Sequence, residues 1–302
     1  MLLKFNSLVF FFLLFITGLN VFGQYHEEKK SFFNLATIEN HLELSAGLIT
    51  PYLKDEAISP LVHKGEGIQG NLNYFLINQV FCASAEVYAN YSLLGNKFES
   101  IESNPMMSIF IDINVQGGAK VYEKSKTRLY VGAKINYITN QWIKNTYSNS
   151  AYQYNTSLVT GPFLYVERPV FFKGEIREVN GVSYKYPPNM KVSLNVYAPF
   201  LGIYVKPMYH GFADISNPDA DFVSTDSTVH TTSIFRNMLM LESKLNVDYM
   251  LKNGNSIRLS YWWKFHKLKE EDYNYQYALQ GISLAFLFRF DKLVPKIEPL
   301  KK

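Results

Sequence analysis

From His41 to Phe290, apolar and polar side chains take turns along the chain with a period of two. That period sends successive side chains to opposite faces of a strand, so the chain is built for sheet with two unlike faces. His41–Thr50 sets Leu42, Leu44, Ala46 and Leu48 against His41, Glu43, Ser45 and Gly47. Ile68–Ile77, Phe81–Tyr91, Met107–Tyr122 and Arg128–Ile138 repeat the pattern. Ser157–Glu167 and Lys191–Lys206 read as strands disturbed by Pro162 and Pro199. Ser233–Leu251, Ser256–His266 and Gln276–Phe290 complete ten, and no stretch carries a helical period.

The connections alternate in length. Short turns fall at Asn78-Gln79, at Glu123–Thr127 and at Lys252–Asn255, where Asn253-Gly254 is a hairpin signal. Longer polar loops fall at Pro51–Gly67, Ser92–Met106, Thr139–Thr156, Pro207–Thr232 and Lys267–Tyr275. Arg168–Met190 breaks the rule on the short side and is rich enough in turn residues to hide a further hairpin. Ten strands place both chain ends on the short-turn side; twelve is the alternative count.

Ahead of the strands, Met1–Gly23 has a basic start at Lys4, a 12-residue apolar run from Leu8 to Leu19 and a modest end at Val21-Phe22-Gly23. Those are the parts of a secretory signal peptide cleaved before Gln24. The run is shorter than the ~20 residues that a membrane-spanning helix needs. One cysteine, Cys82, excludes an internal disulfide and a zinc site of several thiolates. A net charge of +4 is too mild to argue for nucleic acid. The division is therefore a signal peptide at 1–23, an N-terminal lead at 24–40, a barrel at 41–290 and a tail at 291–302.

An exported all-β chain of this kind has two solutions. A soluble sandwich or lipocalin-like barrel turns its apolar face inward. A transmembrane barrel turns it outward, with short turns at one end, long loops at the other and aromatic girdles between. Alternating loop lengths, long strands and aromatics at the ends of apolar rows (Tyr91, Tyr122, Tyr137, Tyr249) favour the second. The expected fold is an antiparallel up-and-down transmembrane barrel of about ten strands.

The signal peptide, the hairpin series and the aromatic-ended last strand (Ile282, Leu284, Phe286, Phe288, Phe290) resemble the outer-membrane β-barrels of Gram-negative bacteria, of Bacteroidota type in the Phe-rich signal before Gln24. The resemblance implies a place in the outer membrane, with its lipid and the barrel-assembly machinery as partners and a surface ligand or secretion partner beyond them. A narrower likeness is to type IX secretion-associated barrels, whose mature start carries an Asn-Pro-Ala-Tyr-type segment; here it reads Tyr25-His26-Glu27-Glu28-Lys29-Lys30.

Signals for chemistry are sparse. Gly65-Glu66-Gly67-Ile68-Gln69-Gly70 spells a dinucleotide fingerprint but leads from a loop into a strand, not from a strand into a helix. Its glycines are expected to serve the bend into the wall. Ser260 lies six residues from His266, about 20 Å along a strand, too far for a dyad. Thr228 and His230 sit in a loop, where Asp226-Ser227-Thr228 also resembles a Bacteroidota O-glycosylation acceptor. Asp214, Asn217, Asp219 and Asp221 offer hard oxygen ligands to a cation in an outer loop, without EF-hand spacing. No cofactor and no enzymatic activity are expected.

The polar face carries both signs: Glu43, Glu86, Asp112, Glu242 and Asp248 with Lys120, Lys134, Arg236, Lys244, Arg258 and Lys264. Such charges make either a selective pore or a filled interior in which they pair off. A barrel of about ten strands is little wider than the eight-stranded kind that side chains fill. A plugged or narrow lumen and a structural or surface-binding role through the outer loops are therefore expected. The alternatives are a narrow channel for small solutes, a type IX secretion-associated barrel and a lipid-modifying barrel enzyme.

Overall fold

The computed structural model describes residues 39–56, 59–98, 101, 105–144, 152–172, 176–179, 182–185, 188–207, 227–233, 237–251, 253–269, 274–290 and 298–299. Six uninterrupted antiparallel strands come first: β1 (Glu39–Asp55), β2 (Ser59–Ile77), β3 (Phe81–Gly95), β4 (Met106–Lys124), β5 (Thr127–Ile143) and β6 (Tyr152–Val170). A small hairpin follows, β7 (Ile176–Val179) with β8 (Val182–Lys185). The wall resumes with β9 (Met190–Tyr197), β10 (Leu201–Pro207), β11 (Ser227–Ser233), β12 (Met238–Met250), β13 (Ser256–Lys269) and β14 (Asn274–Arg289). β14 pairs back onto β1 from Arg289↔His41 to Tyr275↔Asp55, and the ring is closed.

The ring has ten positions because two are each filled by two segments. β9 and β10 both pair with β6, Phe163↔Tyr197 and Thr160↔Leu201, so four steps on one side face three on the other. The extra residue is a β-bulge at Ala198–Phe200, where Pro199 has no N–H to give the ladder. Hydrogen bonds from Ala198 N to Pro162 O (3.3 Å) and Phe200 N to Thr160 O (3.1 Å) hold the bulged strand to β6. The bulge also flips the parity: Tyr197 and Tyr204, seven apart, are both buried. Ser233–Leu251, expected as one strand, is split in two. β11 pairs with β10, β12 pairs with β9 and β13, and Met238–Leu241 pair with β13 alone.

The turns follow local chemistry. Asn78 Oδ1 accepts hydrogen bonds from the backbone N–H of Val80 and Phe81, both at 2.7 Å, and so folds the β2–β3 turn. Ser125 and Lys126 both take positive φ, 49° and 71°, as the tight β4–β5 hairpin requires. Gly254, φ 88°, does the same between β12 and β13. Arg168–Met190 does contain a hairpin, and its β8 also pairs with β15 (Glu298–Pro299) from the C-terminal tail.

Two expectations about loops are corrected. Pro51–Gly67 is nearly all strand, since Tyr52↔Lys64, Leu53↔His63 and Lys54↔Val62 carry the β1–β2 ladder almost to its tip. The ladder needs backbone groups, not an apolar row, so polar composition concealed it. The glycines of 65–70 lie inside β2 and not at a bend. A Cβ on Gly65 or Gly67 would lie 1.8 Å from Leu93 O or 2.3 Å from Tyr91 O, so the absent side chains of these two admit the neighbouring strand, while Gly70 has room for one.

Uninterrupted strands reach 19 residues, roughly 60 Å of chain at 3.3 Å each. A tilted crossing takes only about 9–11. Their outward face is a belt of large apolar side chains, among them Leu48 (71% exposed), Ile68 (63%) and Leu284 (61%). Glu43, Asp112 and Asp248 are buried inside. Apolar outside and charged inside is the reverse of a soluble barrel.

Candidate functional site

Strand parity determines what enters the lumen. Odd residues of β1 and β6 point inward, as do even residues of β3, β4, β5, β12 and β13. Glu43, Glu86, Asp112, Lys134, Glu242, Lys244, Asp248, Arg258 and Lys264 all lie on this side, where the alternation places them. Lys120 does not join them. A bulge between Lys120 and Tyr122 ends the regular ladder, and the Lys120 ammonium pairs with Glu123 at the β4–β5 turn. Arg236 and the acidic loop Asp214, Asn217, Asp219 and Asp221 lie outside the described residues.

The charges form one connected network. Toward the short-turn end, Arg258 donates from Nε and Nη2 to the two carboxylate oxygens of Asp248 (2.5 and 2.9 Å) and from Nη1 to Glu43 (2.6 Å). Lys191 lies 3.9 Å from Asp248 and 3.7 Å from Glu167, and Arg128 Nη1 lies 3.1 Å from Glu167. Midway, Lys244 reaches Glu86 at 3.0 Å and Glu43 at 3.3 Å. Higher, Lys134 donates to Glu242 at 2.8 Å, and Lys264 pairs with Asp112 and, at 3.6 Å, with Glu242. Asn114 and Asn136 fill remaining carboxylate lone pairs.

Ring position shows what the pairs do. β13 and β4 are five places apart in a ring of ten, and so are β12 and β3. Lys264–Asp112 and Lys244–Glu86 therefore tie opposite walls across the full width. Buried charges left alone would cost several kcal/mol each, so each must find an opposite charge, and here the nearest lies across the lumen. Glu167, Lys191 and Arg128 went unread in the sequence. Glu167 shares its parity with the buried Phe163 and Tyr165, which was the available signal.

Rings fill the rest of the interior. Toward the long-loop end Phe110 stacks on Tyr277 (centroids 5.1 Å), Trp142 on Tyr275 (5.8 Å), and Tyr88 meets Trp262 edge-on (4.7 Å). A second cluster joins Phe75, Ile77, Cys82, Tyr130, Phe163, Tyr165 and Tyr197. Cys82 is a small buried side chain within it, as its place on the polar face implied. In the sequence the aromatics that stood out were those ending apolar rows, Tyr91, Tyr122, Tyr137 and Tyr249, because an inward ring does not stand out from the polar residues flanking it. Between the clusters lies a cavity of about 50 Å³, bordered by Gln69, Asn71, Glu86, Lys134, Glu242 and Lys244, with room for a few waters.

The candidate catalytic groups stay apart. Ser260 Oγ donates to Asn246 Oδ1 at 2.8 Å, while His266 lies beside Glu242, Nε2 to Oε1 at 3.5 Å. Thr228 and His230 fall within β11.

No family model and no curated protein matches the sequence. Among solved structures, the outer membrane protease OmpT of Escherichia coli aligns over 87% of this chain and 99% of its own, at 7% identity and a TM-score of 0.44. Neisserial surface protein A aligns over 82% and 97%, at 7% identity and 0.32. The transport unit of the autotransporter AIDA-I of E. coli aligns over 88% and 94%, at 8% identity and 0.34.

Proposed function

We propose that the chain is an outer-membrane β-barrel whose lumen does not conduct and whose role is structural or surface-binding, exerted from its long-loop side. The observation that carries the reading is the filled lumen: ion pairs join opposite walls, aromatic clusters lie near both ends, and a cavity of about 50 Å³ lies between them. An aqueous pathway would have to part those pairs. The outward apolar belt supports membrane insertion, because a patch of that extent in water would drive association.

In this reading the signal peptide at 1–23 exports the chain and the short-turn end faces the periplasm. The barrel-assembly machinery engages β14, whose Ile282, Leu284 and Phe288 point outward, with Phe290 exposed just after it, and whose pairing with β1 closes the ring. The test is single-channel recording in planar bilayers. We expect insertion without steps of conductance. Regular open-channel steps would overturn the plugged lumen in favour of the narrow channel.

A further inference from the structure

The pairing register lays one inward row across five neighbouring strands. Asn246 of β12 faces Ser260 of β13, Ser260 faces Ser283 of β14, Ser283 faces Gly47 of β1, and Gly47 faces Gln69 of β2. None of these residues is charged, and Ser260, Ser283 and Gly47 are small. This sector of the wall therefore leaves part of the lumen unfilled. The cavity of about 50 Å³ lies against it, with Ser45, Gln69, Asn71 and Ser283 on its border.

Polar groups on that border are left unmet among the described residues. Gln69 is 6% exposed, and neither its Oε1 nor its Nε2 has a hydrogen-bond partner. Asn71 Oδ1 is buried without one, while its Nδ2 donates to Glu43 at 3.4 Å. Asn195 Oδ1 is in the same state, while its Nδ2 donates to Gln116 at 3.1 Å. Turning either asparagine amide over would only exchange one unmet group for another. β2 and β9 are five places apart in the ring of ten, so Gln69 and Asn71 confront Asn195 from the opposite wall, and all three border the cavity. Buried amide groups are nearly always paired, because leaving them bare forfeits their hydration.

The bordering groups select what the cavity takes. Glu86 and Glu242 are already paired with Lys244 and Lys134, at 3.0 and 2.8 Å. Lys264, also on the border, is paired with Asp112. A cation would enter beside these ammonium groups. An anion would meet the carboxylates and the unmet oxygens of Gln69, Asn71 and Asn195. Those oxygens together with Gln69 Nε2 call for a small neutral ligand that both donates and accepts. A buried water takes roughly 10–15 Å³ on this scale, so about three fit.

We infer that the cavity is a water-binding site, in which ordered molecules join Gln69, Asn71 and Asn195 between the two aromatic clusters. The inference rests on the closed lumen proposed above. Without a continuous path to either end, these waters exchange only when the barrel opens. The lumen is then shut without being dry.

The test uses the full chain folded in detergent micelles, with folding scored first by heat-modifiable gel mobility. Long-lived waters are counted by nuclear magnetic relaxation dispersion, and sodium and chloride line widths are followed in the same samples. We expect about three waters that outlast the tumbling of the particle. Gln69→Leu should remove at least one of them. Asn195→Leu should do the same, and it serves if the first variant does not fold. Gln280→Leu, on the outward face of β14, should leave the count unchanged. Four results would each overturn the site: no long-lived water in a parent barrel that does not conduct, an unchanged count in a folded Gln69→Leu or Asn195→Leu barrel, an equal loss in Gln280→Leu, or ion broadening abolished by Gln69→Leu. Regular conductance steps with waters too brief to count would instead bring down the closed lumen, and the inference with it.

Discussion

Removing Arg258 is the sharpest probe of whether the lumen is shut off from bulk water. Its guanidinium makes three charge-assisted hydrogen bonds, two to Asp248 and one to Glu43. Asp248 is 0% exposed and Glu43 1%. Arg258→Ala leaves both carboxylates in place. Glu43 keeps Lys244 at 3.3 Å, but among the described residues Asp248 keeps only Lys191, at 3.9 Å. Breaking a buried pair from one side costs about 3–5 kcal/mol, and with Glu43 still compensated we expect about 3. That is roughly a hundredfold in the folding constant. The assay is reversible urea unfolding of the barrel in lipid vesicles, followed by tryptophan fluorescence. Adding Asp248→Leu to Arg258→Met should recover much of the loss, since the orphaned carboxylate goes with its partner. A loss below about 1 kcal/mol for Arg258→Ala is what a solvated surface pair gives. That result would refute a lumen shut off from bulk water and with it the non-conducting barrel.

Two further outcomes follow from positions on the wall. Leu48, 71% exposed in the outward belt, should lose about 2–4 kcal/mol of stability in bilayers on substitution by Lys. Unchanged vesicle unfolding for Leu48→Lys would place that face outside the hydrocarbon. At the β1–β2 tip, Glu56 accepts from Lys54 and from the backbone and side-chain amides of Asn274 (3.2 and 2.8 Å), and these bonds, that from Lys54 first, hold its carboxyl below the usual range. A lowered folded-state value means that the clamp contributes above the unfolded value of about 4.3 and is lost as pH falls through the folded one. Hydrogen-exchange protection at the Asn274 amide should therefore drop in acid. Glu56→Gln should abolish that dependence, and protection flat with pH in the unsubstituted chain would show that the clamp is not made.

The strand count, the inward and outward faces and the place of most lumen charges were legible because a period of two is written residue by residue. Glu43, Asp112, Lys134 and Lys264 could be assigned to the lumen without knowing what they touch. Reading failed where the pattern depends on something nonlocal. The Ala198–Phe200 bulge shifts parity by one, so Tyr204 points inward although simple alternation from Tyr197 points it out. Lys120 keeps the alternation on paper, yet the bulge beside it gives its ammonium to Glu123. Pro51–Gly67 looked like a loop because the apolar row fades where the wall leaves the belt, while the backbone ladder runs on.

The sequence by itself determined a barrel with an apolar exterior, because each strand announces its two faces locally. It could not say whether the inward charges line a pore or close it. That depends on which residues meet across the ring, and Lys264 with Asp112 or Lys244 with Glu86 are 152 and 158 positions apart. Only closure of β14 onto β1, with the stagger of ten strands, brings those ammonium and carboxylate groups together. Once they are out of bulk water, the cost of leaving them unpaired holds them there.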